Sequence, residues 1–173
     1  MRGTTLAIAV AIARPRMTAG LRRATAADVE ALTALQRAAY ARNREILGVE
    51  PLPLLADYRE IVSRYDVWLA EGGDGIEGAL ILEPRPDDLL IWSVATHPRV
   101  QGRGLGRRLL AAAEARATAL GRRVMRLYTG EPLSANIAWY RRHGYAVEQV
   151  EQMPDRRVVH MVKTLRDATL PSS

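Results

Sequence analysis

The sequence has 173 residues, of which 48% are apolar and 25% charged, with a net charge of +6 and no cysteine. This is an ordinary composition for one globular domain with a sizeable core. It excludes disulfides, thiolate metal sites and cysteine nucleophiles, and because His97, His143 and His160 lack zinc-ligand spacing no metal is expected.

Residues 1–19 read as an extension outside the core fold. Residues 6–13 form an apolar run between Arg2 and Arg14, too short to span a bilayer and without a convincing small-x-small cleavage site behind it. Met17 stands just before the domain and is a candidate natural start. A cytoplasmic protein with no membrane partner is expected.

Residues 21–24 are short and extended. Thr25 and Asp28 make a capping-box pattern, with Asp where Glu or Gln is usual. They open a helix whose apolar positions Val29, Leu32, Leu35 and Ala39 recur at spacings of three and four, to about residue 42. Gly48, Pro51 and Pro53 break the pattern, and a second helix is predicted over residues 54–65. Residues 67–70 read as a strand, Gly72 to Gly75 as a turn, and residues 76–83 as the returning arm of a hairpin. After a turn at 84–87, residues 89–96 form a strand apolar on both faces over most of its length, as a central buried strand should be. A long helix over 103–120 is stopped by Gly121. A strand at 124–128 follows, then a helix over 135–142 with Ser134 as its expected cap and Gly144 at its end. Strands at 145–151 and 157–164 close the domain, and 166–173 is a tail. This order predicts an α+β fold, αβα layered: a mostly antiparallel sheet of about seven strands with helices on both faces and one βαβ crossover.

The most informative stretch is Gln101-Gly102-Arg103-Gly104-Leu105-Gly106, between the strand at 89–96 and the long helix. Glycines at alternate positions let a backbone approach a bulky anion closely. The helix start aims unpaired N–H groups and a positive dipole end at the same place, so a phosphate-bearing ligand is implied. A P-loop would need Lys and Ser/Thr after the last glycine, where Arg107 and Arg108 stand. A dinucleotide site would need G-x-G-x-x-G in the first βα unit of a parallel sheet; here the spacing is G-x-G-x-G, after a β-meander. A nucleic-acid module built on Arg103, Arg107, Arg108, Arg116, Arg122 and Arg123 lacks a recognition motif, and its arginines are spread round the helix. No nucleic-acid partner is expected.

The residues and the order of elements together resemble the GNAT superfamily of N-acetyltransferases. The family's signature Q/R-x-x-G-x-G/A is met by Gln101-x-x-Gly104-x-Gly106, and its preceding V-x-P loosely by Thr96-His97-Pro98. An Asn followed four residues later by Tyr on the next helix is met by Asn136 and Tyr140. The resemblance covers about residues 20–165, which are expected to form the acetyltransferase domain.

The resemblance implies acetyl-CoA as co-substrate. Its pyrophosphate would lie on the backbone of Gly102, Arg103, Gly104, Leu105, Gly106 and Arg107, next to Gln101. Val94, Ala95 and Thr96 would pair with its pantetheine arm where the strand splays from its parallel neighbour, and Asn136 would hold that arm by hydrogen bonds. Tyr140 would be the catalytic acid that protonates the leaving sulfur, and its ordinary pKa near 10 keeps it a donor at neutral pH.

The chain departs from the family where many members carry a glutamate, since its strand reads Ile91-Trp92-Ser93-Val94. Glu83, Glu71 and His97 are alternative bases by proximity; Ser93 is too weak a base alone but able to position a water. Tyr40, Arg42, Asn43, Arg44, Asp57, Tyr58, Arg156 and Arg157 are candidates for the acceptor pocket. A small-molecule amine is expected as acceptor ahead of a protein amine, in a monomer or homodimer. The rival reading is an acyl-CoA-binding domain without catalysis.

Overall fold

The first helix runs beyond residue 42, where its apolar spacing ends. In the computed structural model, which describes residues 20–166, β1 (Leu21–Arg23) leads into a single 3-10 turn whose start is capped as expected. The Thr25 N–H donates to Asp28 Oδ2 at 2.7 Å. Then α1 runs over Val29–Leu47, ending only where Gly48 takes a left-handed φ of 66°. The expected extension at 1–19 and the tail beyond Arg166 lie outside the described residues.

The second helix is shorter than expected. Pro51 and Pro53 shape a 3-10 turn at Leu52–Leu54, and α2 occupies Tyr58–Arg64, with the Asp57 side chain accepting from the Arg59 N–H at 2.8 Å. The meander follows as β2 (Asp66–Gly72), β3 (Gly75–Pro84) and β4 (Leu89–Thr96). α3 (Leu105–Ala119), β5 (Val124–Gly130), α4 (Ser134–Arg142), β6 (Ala146–Gln152) and β7 (Arg157–Thr164) complete the chain. Ser134 is not the cap of α4: Leu133 occupies that position, and Ser134 is the first helical residue. No helix among the described residues is long and apolar enough to cross a membrane.

The strands form one seven-stranded sheet in the order β1-β2-β3-β4-β5-β7-β6. Every pairing is antiparallel except β4 with β5, the crossover through α3. Strict alternation along β2 and β3 sends side chains to two separate cores. Trp68, Leu80 and Leu82 pack with Leu109, Leu110 and Ala113 of α3 on one face. Val67, Leu69, Ala79 and Ile81 pack with Leu32 and Leu35 of α1 and Tyr58 and Ile61 of α2 on the other. Each fully buried leucine contributes about 1.5–3 kcal/mol, so both helix layers are tied firmly to the strands between them.

Two irregularities in β4 create the site. Ile81 pairs with Ser93 but Leu82 pairs with Ile91, so Trp92 is an extra residue on β4. Beyond it, β4 and β5 part: their parallel pairing covers only Leu89–Ile91 against Met125–Leu127. Residues 93–96 stay bonded to β3 alone, and Tyr128–Gly130 to β7 alone. The sheet thus opens as a V toward the glycine turn.

The closed end of the V is clamped. Asp88 accepts from Arg85 at 2.6 and 2.8 Å and from Nη1 of Arg126 on β5. Burial pushes the Asp88 carboxyl up, but the two guanidinium groups outweigh it and hold the carboxyl below its ordinary 3.8. A carboxyl depressed on folding stabilises fully above its unfolded pKa and loses that contribution as acid protonates the native state. Urea unfolding from about pH 6 down to about pH 2 should therefore show wild type losing its margin over Asp88→Asn as the pH falls below about 4; a margin constant to the acid end would remove the clamp from this role.

Candidate active site

The V between β4 and β5 is the floor of a cleft of about 500 Å³. α1 and the Pro51–Pro53 turn wall one side; α4 and the N-terminus of α3 wall the other. Gln36, Tyr40 and Asn43 recur on one stripe of α1, and its last turn adds Leu47. Gly130 allows that approach, because a Cβ there would come within 2.5 Å of Leu47 Cδ2. The extension of α1 past residue 42 is therefore part of the site.

Val94, Ala95, Thr96, Gln101, Gly102, Gly104, Leu105, Gly106, Arg107, Asn136 and Tyr140, all expected from the sequence, line this one cleft. Arg103 is exposed and does not. Gly102 and Gly104 adopt φ of 78° and 83°, and a Cβ at either would point into open space. Among the described residues, no backbone bond is donated by the N–H groups of Gly102, Arg103 or Gly104, and those of Leu105, Gly106 and Arg107 open α3, where helix geometry leaves them without intrahelical partners. Gln101 has a further task, since its Nε2 donates to Thr96 O at 3.3 Å and ties the turn to the end of β4.

The acceptor-side candidates separate. Tyr40, Asn43 and Arg156 line the cleft; Arg42, Arg44, Asp57, Tyr58 and Arg157 do not. Asp57 caps α2, the Tyr58 hydroxyl donates to Pro53 O at 2.7 Å, Arg44 pairs with Glu50 at 2.8 Å and Arg157 with Glu131 at 3.0 Å. The bases suggested by proximity are also elsewhere. Glu71 pairs with Arg22 at 2.8 Å, the His97 ring accepts from the Arg99 N–H at 3.3 Å, and neither they nor Glu83 line the cleft.

A polar chain links β4 to α1 on one side of the cleft. The Ser93 hydroxyl donates to Gln36 Oε1 at 3.3 Å and lies 3.1 Å from the Tyr40 hydroxyl. Ser93 reaches α1 because of the bulge: with the extra residue at Trp92, both Trp92 and Ser93 turn toward the α1 and α2 face. Gln36 is fully buried and its Nε2 has no partner. Sequence reasoning did not select Gln36, although a glutamine between Leu35 and Ala39 on the core stripe of α1 is the kind of buried polar residue that marks a site.

Residues 63–147, from the end of α2 into β6, match the model of the acetyltransferase (GNAT) domain. This stretch belongs to the GNAT acetyltransferase family. The GNAT match includes the splayed strands, the glycine turn and the helix that carries Asn136 and Tyr140. The fold is similar to that of a PaiA N-acetyltransferase from Thermoplasma acidophilum in complex with coenzyme A, at 18% identity over 83% of this chain and 97% of that one, with a TM-score of 0.70. It is similar to a ribosomal-protein-alanine N-acetyltransferase from Brucella melitensis, at 24% identity over 84% and 99%, with a TM-score of 0.63. A GNAT family acetyltransferase from Elizabethkingia anophelis with acetyl-CoA bound shares 18% identity over 67% and 92%, with a TM-score of 0.55. No curated protein matches the sequence.

The GNAT cleft is lined by three phenols, Tyr40, Tyr128 and Tyr140. Each ring borders the cleft, yet enough protein surrounds it to disfavour the phenolate. Burial pushes Tyr140 up, with the nearby Tyr40 adding to it. Burial also raises Tyr40, against the opposing Ser93 hydrogen bond, and pushes Tyr128 up to about 12. All three are neutral hydrogen-bonding groups at physiological pH. Among the described residues that line the GNAT cleft, the formally charged ones are Arg107 and Arg156. Arg156 is tied down by Asp155 at 2.6 and 2.9 Å and by Glu50 O at 2.7 Å.

Proposed function

We propose that residues 20–165 are an acetyltransferase domain that moves an acetyl group from acetyl-CoA to a primary amine of a small molecule, by direct transfer within a ternary complex. The observation that carries this reading is the convergence, in one cleft, of the left-handed Gly102 and Gly104, the free edge of Val94–Thr96, and the Asn136/Tyr140 pair. The glycine turn fits a pyrophosphate: its φ values suit glycine alone, and its amides stand at a helix N-terminus.

Acetyl-CoA supplies the activated thioester. The backbone of residues 102–107 would hold the pyrophosphate, with Arg107 adding charge. The edge of Val94, Ala95 and Thr96 would bind the pantetheine arm as an added strand, with a strand N–H facing the thioester oxygen. Asn136, one turn before Tyr140, would orient that arm, and Tyr140 would deliver a proton to the departing sulfur. A small acceptor fits a cleft of about 500 Å³ that also has to take the cofactor arm. A cytoplasmic location fits this chemistry.

Saturating acetyl-CoA should raise the melting temperature by about 5 °C or more, as expected for a ligand near a hundred times its Kd, and thiol release should appear with at least one small amine. Failure to stabilise would sink the whole reading. A second reading, an acyl-CoA-binding domain without turnover, draws on the lack of a carboxylate among the described lining residues. Stabilisation without thiol release from any amine would favour it.

A further inference from the structure

We infer that the acceptor is a weakly basic amine on an apolar body, taken into the cleft uncharged; this rests on the proposed acetyltransferase reading. The carrying observation is the cleft's inventory of charge. Its titratable lining groups, among the described residues, are Tyr40 from α1, Tyr128 from β5, Tyr140 from α4, Arg107 from α3 and Arg156 before β7. None holds a negative charge at neutral pH. Glu50, Asp155 and Glu131 are each bound to an arginine, Arg44, Arg156 and Arg157 respectively, and Glu83, whose charge reaches Tyr128, does not line the cleft. Trp92, Leu47, Leu52 and Pro53 supply an apolar wall. An ammonium moved from water into such a place loses its hydration and gains no ionic partner, which is strongly unfavourable. A neutral amine with an apolar body meets no such penalty.

The polar chain explains how a neutral amine is oriented. Ser93 donates its single hydroxyl proton to Gln36, so the Tyr40 hydroxyl is the donor to Ser93. That leaves the lone pairs of the Tyr40 oxygen, on a residue that lines the cleft, to accept an N–H from the acceptor. The nitrogen then keeps its own lone pair for the acetyl carbonyl carbon. As the N–C bond forms, the C–S bond breaks and its electron pair leaves on sulfur, which takes a proton from Tyr140. The surplus proton on nitrogen passes to water, and water reprotonates Tyr140. The products are the amide and the free thiol. No step requires a carboxylate base, provided the amine arrives uncharged.

The selection is large. At pH 7 roughly a tenth of an α-amino group is neutral, against about 0.04% of an alkylamine of lysine basicity. The test pairs amines with the same aromatic body: phenylalaninamide against phenethylamine, and 4-methoxyaniline against 4-methoxybenzylamine, with spermidine as a polycation. At about pH 7 the weaker base of at least one pair should lead in kcat/KM by about 20-fold or more. The phenethylamine value should climb about tenfold per pH unit toward pH 9 and narrow the gap. Tyr40→Phe should raise KM for the favoured amine about fivefold, by removing one hydrogen bond, and leave KM for acetyl-CoA unchanged. The inference is overturned if the alkylamine matches its weaker-base counterpart in both pairs at pH 7, if spermidine matches the better of the two weaker bases, or if the phenethylamine rate is flat with pH, since the protein then supplies the base. Thiol release from none of these amines at any pH, with acetyl-CoA still stabilising the fold, overturns the acetyltransferase reading itself and the inference with it.

Discussion

Tyr140→Phe should lower kcat by about 100-fold or more while KM for acetyl-CoA stays within about threefold, the range expected when a positioned proton donor is lost. The ring packs edge-on against Trp139 and Tyr145, at centroid distances of 4.9 and 5.9 Å. Phenylalanine preserves both contacts, so the substitution removes little besides the hydroxyl. That hydroxyl makes no hydrogen bond among the described residues and borders the cleft, which leaves its proton available to a departing sulfur. Because burial and Tyr40 raise its pKa above 10, Tyr140 should remain a donor across the range in which the protein is assayed. Wild-type activity should therefore show no alkaline fall from this group below about pH 10. Thiol release by both proteins at several pH values checks this, and an unchanged kcat would remove Tyr140 from the mechanism.

The second large effect is on binding. Gly104→Val should weaken acetyl-CoA binding by about 100-fold and abolish the thermal shift. Gly104 caps α3 with φ of 83°, lines the cleft, and would present a Cβ to open space rather than against protein. A left-handed L-residue costs about 1–2 kcal/mol, and valine's branch at Cβ would also occupy the space above the amides. Gly121→Val separates the two causes. Gly121 has the same left-handed sign, φ of 66°, with open space at its Cβ, but stands beyond the far end of α3. Both variants should lose stability in urea; only Gly104→Val should lose affinity by calorimetry. Equal loss of affinity in the two would mean that fold strain, not the turn, is the cause.

Much of this was legible because it is local. The glycine turn, the strand before it and the helix after it lie within about 30 consecutive residues, and Asn136 and Tyr140 are one helical turn apart. Residue type and spacing suffice for such features. The strands of the meander were equally plain, from alternation in β2 and β3. Helix ends were less so: Gly48, not the loss of apolar spacing at residue 42, stops α1, and the prolines after it delay α2 to Tyr58.

By itself, then, the sequence determined the family resemblance, the order of elements and the residues on the glycine-turn side of the cleft. Its missing strand carboxylate was also visible, at Ser93. The α1 side of the cleft was decided only in three dimensions. A single extra residue at Trp92 rotates Ser93 to the α1 face, a shift that pattern alone does not reveal because a one-residue slip reverses which face every later side chain takes. Gln36 and Ser93, which meet there, are 57 residues apart, and Arg156 reaches a carbonyl 106 residues away. Glu83, Glu71 and His97 were near in the chain's topology but do not line the cleft, Glu71 pairing with Arg22 and His97 with the Arg99 N–H. Which groups face one cavity depends on how helices dock on a twisted, splayed sheet, and that docking is set by the two cores on either side of it.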